Sequence, residues 1–143
     1  MSMFCNQCQE TAKNTGCTIN GVCGKKEETA NIQDLLIFAC QGLAFATIEA
    51  KKKGIDTNAE SRHITNSLFM TITNANYDDK SIIQAIKDCV KYRDGLKSKV
   101  TVSDRHDSVT WNAAGDQEFS EKARLVSTLT YDSNEDIRSL ICF

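Results

Sequence analysis

The chain has 143 residues, of which 41% are hydrophobic and 25% charged, and its formal net charge at pH 7 is −2. This length suits one compact domain and leaves little room for a second. The weak net charge provides no strong field for attracting nucleic acid or an anionic membrane, so neither is expected as a partner.

Residues 1–26 are predicted to form a loop built around a bound group. The segment has no helical apolar period, holds four of the seven cysteines and is rich in Asn and Gly. It carries no export or targeting signal, so we expect a cytoplasmic, reducing setting. An odd number of cysteines in that setting indicates metal or redox chemistry rather than a disulfide framework.

Residues 27–97 are predicted to form an antiparallel three-helix bundle. Apolar residues recur at helical spacing over about 27–53, 58–73 and 78–97, and Gly54 supplies a stop after the first segment. Because the connections between the segments are short, neighbouring helices should run in opposite directions. The predicted fold class is therefore all-α.

Other features of the bundle have simple structural explanations. The longest apolar stretch, 35–48, is shorter than the ~20 residues that span a bilayer, so a soluble protein is expected. Cys40 and Cys89 fall on apolar helix faces and should be buried core thiols. His63 and His106 are interpreted as solvated or hydrogen-bonded surface side chains rather than ligands.

Residues 98–143 are predicted to contain an irregular excursion, a short helix and the start of a second helical unit. Trp111 should pack the excursion on the bundle, and Asp116 should cap a helix that runs through Val126. Residues 134–141 have the cap, acidic first turn and apolar positions of a new helix, and they echo residues 31–37. This helix ends without a stop signal, so we expect a truncated second repeat.

Four cysteines near the N-terminus form the strongest functional signal. Cys5, Cys8, Cys17 and Cys23 follow the pattern C-x2-C-x8-C-x5-C within 19 residues, so their thiolates can converge on one centre. Thiolates bind zinc and iron–sulfur clusters alike. The wide x8 and x5 gaps are loose for one zinc ion and favour a larger cluster, with a zinc site or metal-free thiols as the alternatives.

Glycines and lysines in and beside this loop can be explained either by a bound cluster and its partner or by ordinary helix and turn structure. Gly16, Gly21 and Gly24 either let the backbone approach a cluster or simply form turns. Lys13, Lys25 and Lys26 are candidates for docking an acidic electron-transfer partner. The lysines at 51–53 are more simply explained as a helix C-terminus that complements the helix dipole.

The residues from Met3 to Cys17, MFCNQCQETAKNTGC, and from Gly21 to Lys25, GVCGK, closely resemble the N-terminus of hybrid cluster proteins. These are also called prismane proteins or hydroxylamine reductases. The resemblance continues through 27–37, 71–76 and 134–140, and it is weakest over 98–115.

The resemblance implies that Cys5, Cys8, Cys17 and Cys23 hold a [4Fe-4S] cluster, whereas wider spacings in the family hold a [2Fe-2S] cluster. It implies an electron donor protein or reductase as a partner. The family's reactive centre, a hybrid iron–sulfur–oxygen cluster that reduces hydroxylamine to ammonia and is linked to nitric oxide handling, lies in later domains that this chain lacks. We therefore expect an electron relay without catalytic residues, which would act with the remaining domains of the full-length protein. The alternative is a structural zinc or cluster module without catalysis.

Overall fold

The structure, a computed structural model, describes residues 3–72, 77–103, 106–112, 115–131 and 133–142. Within these ranges it contains six α-helices and two short 3₁₀ turns. The helices are α1 (Glu27–Lys52), α2 (Asn58–Ile72), α3 (Asp79–Lys97), α4 (Asp116–Val126), α5 (Thr128–Tyr131) and α6 (Glu135–Cys142). The 3₁₀ turns span Ala12–Asn14 and Asp107–Val109. The predicted all-α class is confirmed.

Helices α1, α2 and α3 pack against one another in pairs, with the most extensive contact between α1 and α3. The five-residue connection 53–57 is short enough to turn α2 back alongside α1. The helices lie where the apolar spacing predicted them, except that position 73 is outside the described residues. Their interface buries a continuous apolar core that includes Leu35, Leu36, Leu43, Ile82 and Ile86.

The end of α1 follows from Gly54, as predicted. Its φ of +73° is a left-handed conformation that glycine adopts without steric cost. The Gly54 N–H donates to the Lys51 carbonyl oxygen at 3.0 Å, and the Ile55 N–H donates to the Ala50 carbonyl oxygen at 3.1 Å. This pair of bonds satisfies carbonyls that the helix end would otherwise leave unpaired.

By length and composition alone, α1 could cross a membrane, because the whole helix is longer than the apolar stretch 35–48. However, 61% of its most apolar window is buried inside the protein. The buried core helix of a soluble protein meets the same criterion, so the feature is weak evidence for a membrane span.

The excursion after α3 folds back onto α1. The Trp111 ring makes edge contacts with Phe38, at 6.0 Å between centroids, and with Phe119, at 5.7 Å. The predicted packing of Trp111 on the bundle is thus confirmed. The His106 Nδ1 lies 2.7 Å from the Ser108 hydroxyl oxygen, as expected for a hydrogen-bonded histidine. Its ring lies 5.8 Å from both Phe38 and Phe45, so the side chain is half-buried against α1 rather than on the surface. The sequence gives no sign of this contact because the two phenylalanines precede His106 by 61 and 68 residues.

The C-terminal helices lie close to their predicted positions. Asp116 is the first residue of α4 and Gly115 is its N-cap, so the prediction that Asp116 caps the helix is wrong by one residue. At α6, the Asn134 side-chain oxygen accepts a hydrogen bond from the Asp136 N–H at 2.9 Å, as expected for the predicted cap. The short helix α5 was not predicted. The division of the chain into 1–26, 27–97 and 98–143 stays a prediction.

Candidate metal centre

A single antiparallel bridge brings Cys5 and Cys17 side by side. The Cys5 N–H donates to the Cys17 carbonyl oxygen at 3.1 Å, and the Cys17 N–H donates to the Cys5 carbonyl oxygen at 2.9 Å. Cys17 is buried and Cys5 is half-buried. The loop therefore aligns the first and third cysteines of the motif through its own backbone.

Thr11 ties Cys8 to this pair. The Thr11 N–H donates to the Cys8 carbonyl oxygen at 3.1 Å, and its hydroxyl donates to the Cys5 carbonyl oxygen at 3.2 Å. The same hydroxyl oxygen lies 3.8 Å from the Cys17 sulfur. Thr11 thus contacts three of the cysteines, one through its backbone and two through its buried side chain. Sequence spacing alone did not single it out.

Gly16 is required by a close approach of the Phe4 ring. A Cβ atom at position 16 would lie 2.6 Å from a ring carbon of Phe4, and the φ of +153° is strained for other residues. Phe4 is itself buried. The group that Gly16 admits in this structure is an aromatic ring, and the predicted approach of its backbone to a cluster stays a prediction.

Cys23 is exposed and lies beside Tyr77, which precedes α3. The Tyr77 hydroxyl donates to the Cys23 carbonyl oxygen at 3.2 Å. Burial raises the pKa of the Cys23 thiol, but hydrogen bonds from Tyr77 and from the Lys25 backbone outweigh this effect, so the pKa lies below its usual value. Burial, a hydrogen bond with Cys23 and the charges of Cys23, Cys8 and Cys5 raise the pKa of Tyr77 to about 12.

Lys25 is buried at 2% exposure, so the prediction that it offers a surface docking charge is wrong. Its ammonium lies 3.7 Å from the Cys5 sulfur and donates to the Gln7 side-chain oxygen at 3.0 Å. Burial raises the pKa of the Cys5 thiol, and Lys25 partly offsets this shift because its positive charge favours the thiolate. A buried cation is costly unless an anion lies nearby.

A small cavity of about 10 Å³ adjoins Cys5 and Lys25 and is also lined by Gln33 and Asp34. Gln33 is 2% exposed, and neither its side-chain oxygen nor its nitrogen has a hydrogen-bond partner among the described residues. Such orphaned polar atoms are rare in protein interiors. Gln33 lies on α1 and lines the same cavity as Cys5 and Lys25.

The four predicted ligands therefore share one neighbourhood. Cys5 and Cys17 are paired directly, Cys8 is close enough for its charge to raise the pKa of Cys5, and the charges of Cys23, Cys8 and Cys5 all act on Tyr77. Within the described parts of the chain, no group of three or more His, Cys, Asp or Glu side chains is arranged to hold a single metal ion.

The residues present nevertheless fit an iron–sulfur cluster chemically. The donor set consists of thiols, which such clusters prefer. Lys25 provides a buried positive charge that offsets thiolate charge, and it is already in contact with Cys5. The cysteines thus lie in an environment suited to an anionic, thiolate-bound group.

The remaining candidates lie outside the loop. Cys40 and Cys89 are buried in the core between α1 and α3, as predicted. His63 is half-buried, and its Nε2 lies 3.1 Å from the Ala85 carbonyl oxygen, consistent with the predicted hydrogen-bonded side chain. Sequence reasoning missed Tyr77 and Gln33, because neither belongs to a spacing motif.

Asp34 links α1 to α5 and should make the stability of the chain depend on pH. Its Oδ2 accepts a hydrogen bond from the Thr128 N–H at 2.8 Å, while burial raises its pKa to about 6. Because this folded-state pKa lies above the unfolded value of about 3.9, the folded chain holds the proton more tightly. Asp34 therefore contributes less stability as the pH rises from about 4 to 7, by about 1–3 kcal/mol.

Asp34→Asn removes this titration and retains a side-chain oxygen that can accept from Thr128. The difference in unfolding free energy between this variant and the unmodified chain should grow in favour of the variant as the pH rises. Urea denaturation of both chains across that pH range measures the difference, in which the contributions of the other carboxylates cancel. A difference that does not change with pH would contradict the assignment.

Comparison with known proteins identifies relatives over nearly the whole chain. Residues 3–140 match the Prismane/CO dehydrogenase family. The chain is 48% identical over 140 residues to a hydroxylamine reductase from Bacteroides thetaiotaomicron, and the alignment covers 98% of the chain and 25% of that relative. It is 49% identical over 147 residues to a hydroxylamine reductase from Clostridium perfringens, with 98% of the chain and 27% of the relative covered.

A relative from Methanococcus vannielii with the same name is 47% identical over 144 residues, which cover 96% of the chain and 26% of the relative. The chain thus spans about a quarter of the length of the curated relatives it matches. The family match covers the cysteine loop, the bundle and most of α6. The chain belongs to the Prismane/CO dehydrogenase family.

Proposed function

We propose that this chain is the N-terminal iron–sulfur electron-transfer segment of a hydroxylamine reductase-type hybrid cluster protein. Cys5, Cys8, Cys17 and Cys23 would be the ligands of its [4Fe-4S] cluster. The observation that carries the proposal is the buried ammonium of Lys25, 3.7 Å from the Cys5 sulfur. The charge of Lys25 also interacts with those of Cys23 and Asp34. The raised pKa of Asp34, about 6, still leaves this carboxyl mostly ionised at pH 7.

The bound cluster would supply one-electron transfer. The chain's own residues would provide the thiolates, shield them from water and set the charge around them. Burial differs along the set, because Cys17 is buried and Cys23 is exposed. The ligands therefore reach from the bundle to the protein surface, where an electron donor protein or reductase would approach. Lys13 and Lys26 are exposed and remain candidates for its docking.

The complete reaction belongs to the full-length protein. There the relay would feed a hybrid iron–sulfur–oxygen cluster in the remaining domains, where hydroxylamine is reduced to ammonia and nitric oxide-related redox chemistry takes place. We expect this protein to be cytoplasmic and to act without nucleic acid or membrane partners. The weak net charge of −2 is in keeping with that expectation.

Single Cys→Ser substitutions test the ligand assignment. Cys5→Ser, Cys8→Ser, Cys17→Ser and Cys23→Ser should each reduce the iron content of the anaerobically reconstituted chain at least about tenfold or leave an oxygen-sensitive, altered cluster, since each removes a thiolate ligand. The matched control is Cys89→Ser, which changes a buried core thiol and should leave the iron content unchanged. Iron assay and visible absorption of each variant provide the readout.

Either of two results would reject the assignment. The first is full cluster loading in a variant that lacks one of the four cysteines, with unaltered spectra. The second is stoichiometric zinc and no iron in the unmodified chain after reconstitution, which would establish the alternative of a structural zinc module.

Lys25→Met should lower the midpoint potential of the bound cluster by about 50–100 mV, because the buried positive charge favours the more negative reduced state. The matched control is Lys26→Met, which removes a neighbouring but exposed charge and should shift the potential much less. A spectroscopically monitored anaerobic redox titration measures both values. Equal shifts in the two variants would contradict the role assigned to Lys25.

A further inference from the structure

A second pair of cysteines lies in the bundle core, outside the loop site. Cys40 on α1 and Cys89 on α3 place their sulfur atoms 3.7 Å apart. Their exposed fractions are 2% and 0%. A disulfide bond is about 2.0 Å long, so the sulfurs would have to approach by about 1.7 Å to form one.

A polar chain from α2 leads to this pair. The Nε2 of His63 lies 3.1 Å from the Ala85 carbonyl oxygen and 3.5 Å from the Ser67 hydroxyl oxygen. Because a carbonyl oxygen can only accept, Nε2 must carry the proton, and Ser67 then accepts from the same N–H. His63 thus does not take the hydroxyl hydrogen of Ser67, and Ser67 lowers the pKa of both Cys40 and Cys89.

The two thiols are not equivalent. A hydrogen bond from Cys89 lowers the pKa of Cys40, and Ser67 adds to this effect, while burial opposes it. The pKa of Cys89 is raised, first by its hydrogen bond to Cys40 and then by burial. Cys40 is therefore the thiol that ionises first, and Cys89 keeps its proton beside it. Oxidation by a peroxide begins at a thiolate, and a second thiol beside it can lose its proton and convert the resulting sulfenic acid to a disulfide.

We propose that Cys40 and Cys89 form a redox-active dithiol that hydrogen peroxide oxidises to a disulfide joining α1 to α3. The Cys40 thiolate attacks one peroxide oxygen and the O–O bond breaks, which gives a sulfenic acid. The departing hydroxide takes the proton released from Cys40 and becomes water. The Cys89 sulfur then attacks the Cys40 sulfur, the S–O bond breaks, and the Cys89 proton leaves with the hydroxide as a second water. The dithiol loses two electrons and the peroxide gains them.

The surroundings favour a small oxidant. His63 lines an open groove of about 460 Å³ that is also bordered by Arg62 and Tyr92. The His63–Ser67 chain connects this groove with the dithiol, while the sulfurs themselves are covered. Hydrogen peroxide should therefore oxidise the folded chain much faster than a bulky disulfide such as oxidised glutathione, which needs direct access to sulfur.

Peptide mapping tests the proposal on the full chain with its metal site loaded. The folded protein is treated with a limited excess of hydrogen peroxide, which is then removed; the chain is unfolded in the presence of an alkylating agent and digested with trypsin without reduction. Cys40 is the sole cysteine of the tryptic peptide 27–51 and Cys89 that of 88–91, so their linkage gives one mass distinct from all loop products. We expect this linked peptide to accumulate and to disappear after treatment with dithiothreitol.

Two variants test the sulfenic acid at Cys40 and the role of Ser67 separately. In Cys89→Ala, Cys40 should be trapped as a sulfenic acid by dimedone, and in Ser67→Ala the linked peptide should form several-fold more slowly. Recovery of both peptides alkylated and unlinked, at peroxide doses that already oxidise the loop cysteines, would overturn the proposal. Linkage that forms only in urea would overturn it as well, because it would then be a property of the unfolded chain. An unchanged rate in Ser67→Ala would remove the role assigned to Ser67.

Discussion

Replacing Arg93 with methionine should lower the free energy of unfolding by about 3 kcal/mol or more. The guanidinium is 1% exposed and donates to the Ser108 carbonyl oxygen at 2.8 Å and to the Trp111 carbonyl oxygen at 2.7 Å. It also donates to the Asn112 side-chain oxygen and to the Asp94 carboxylate, both at 2.9 Å. Methionine fills much of the space but leaves these acceptors without their donor.

The planar fork of Arg93 holds the excursion after α3 against the bundle, so Arg93→Lys should recover only part of the loss, since an ammonium cannot reach all these acceptors. Arg62→Met is the matched control, because Arg62 is exposed on α2 and its substitution should change stability by less than about 0.5 kcal/mol. Urea denaturation followed by circular dichroism measures all three variants. A loss in Arg93→Met no larger than that in Arg62→Met would contradict the anchoring role.

Gly42→Ala should destabilise the chain by about 2 kcal/mol or more, although alanine normally favours a helix. Gly42 lies in α1 where the 3₁₀ turn Asp107–Val109 crosses it. A Cβ atom at this position would lie 2.1 Å from the Ser108 carbonyl oxygen and 2.7 Å from its carbonyl carbon. These are backbone atoms, and the same carbonyl accepts from Arg93, so they cannot move aside cheaply.

Gly95→Ala is the matched control, and it should change the stability in the opposite direction. Gly95 lies in α3, and a Cβ atom there would meet nothing within 4 Å. Alanine at this position should therefore raise the unfolding free energy by about 0.5–1 kcal/mol through helix propensity alone. Thermal and urea denaturation of both variants give the comparison. If Gly42→Ala were as stable as Gly95→Ala, the close contact between α1 and Ser108 would be refuted.

The local sequence pattern was sufficient for the helices but not for the contacts between distant segments. Apolar spacing placed α1, α2 and α3 because an amphipathic face repeats within a single helix. The contact of Gly42 with Ser108 joins residues 66 positions apart, and no local pattern encodes it. The helix α5 was missed because four residues are too few to show a period.

In the candidate site, too, local spacing predicted the cysteines but not the contacts made by distant residues. Cysteine spacing identified four side chains that the loop brings into one neighbourhood, because they lie within a short segment whose backbone closes on itself. The burial of Lys25 could not be inferred, since lysine is rarely buried without a partner. Its contact with the Cys5 sulfur depends on how the loop folds over the bundle. Tyr77 reaches the loop from the start of α3, 54 residues away from Cys23.

The most direct test of the proposed iron–sulfur electron relay is spectroscopy of the purified chain, combined with assays of its iron and zinc content. Under anaerobic conditions, ultraviolet–visible and electron paramagnetic resonance spectra are recorded before and after dithionite, and iron and zinc are assayed on the same sample. We predict broad absorption towards the blue that bleaches on reduction, a paramagnetic signal in the reduced state and about four irons per chain. A colourless chain that still takes up no iron after anaerobic reconstitution, or that holds about one zinc ion instead, would contradict the account.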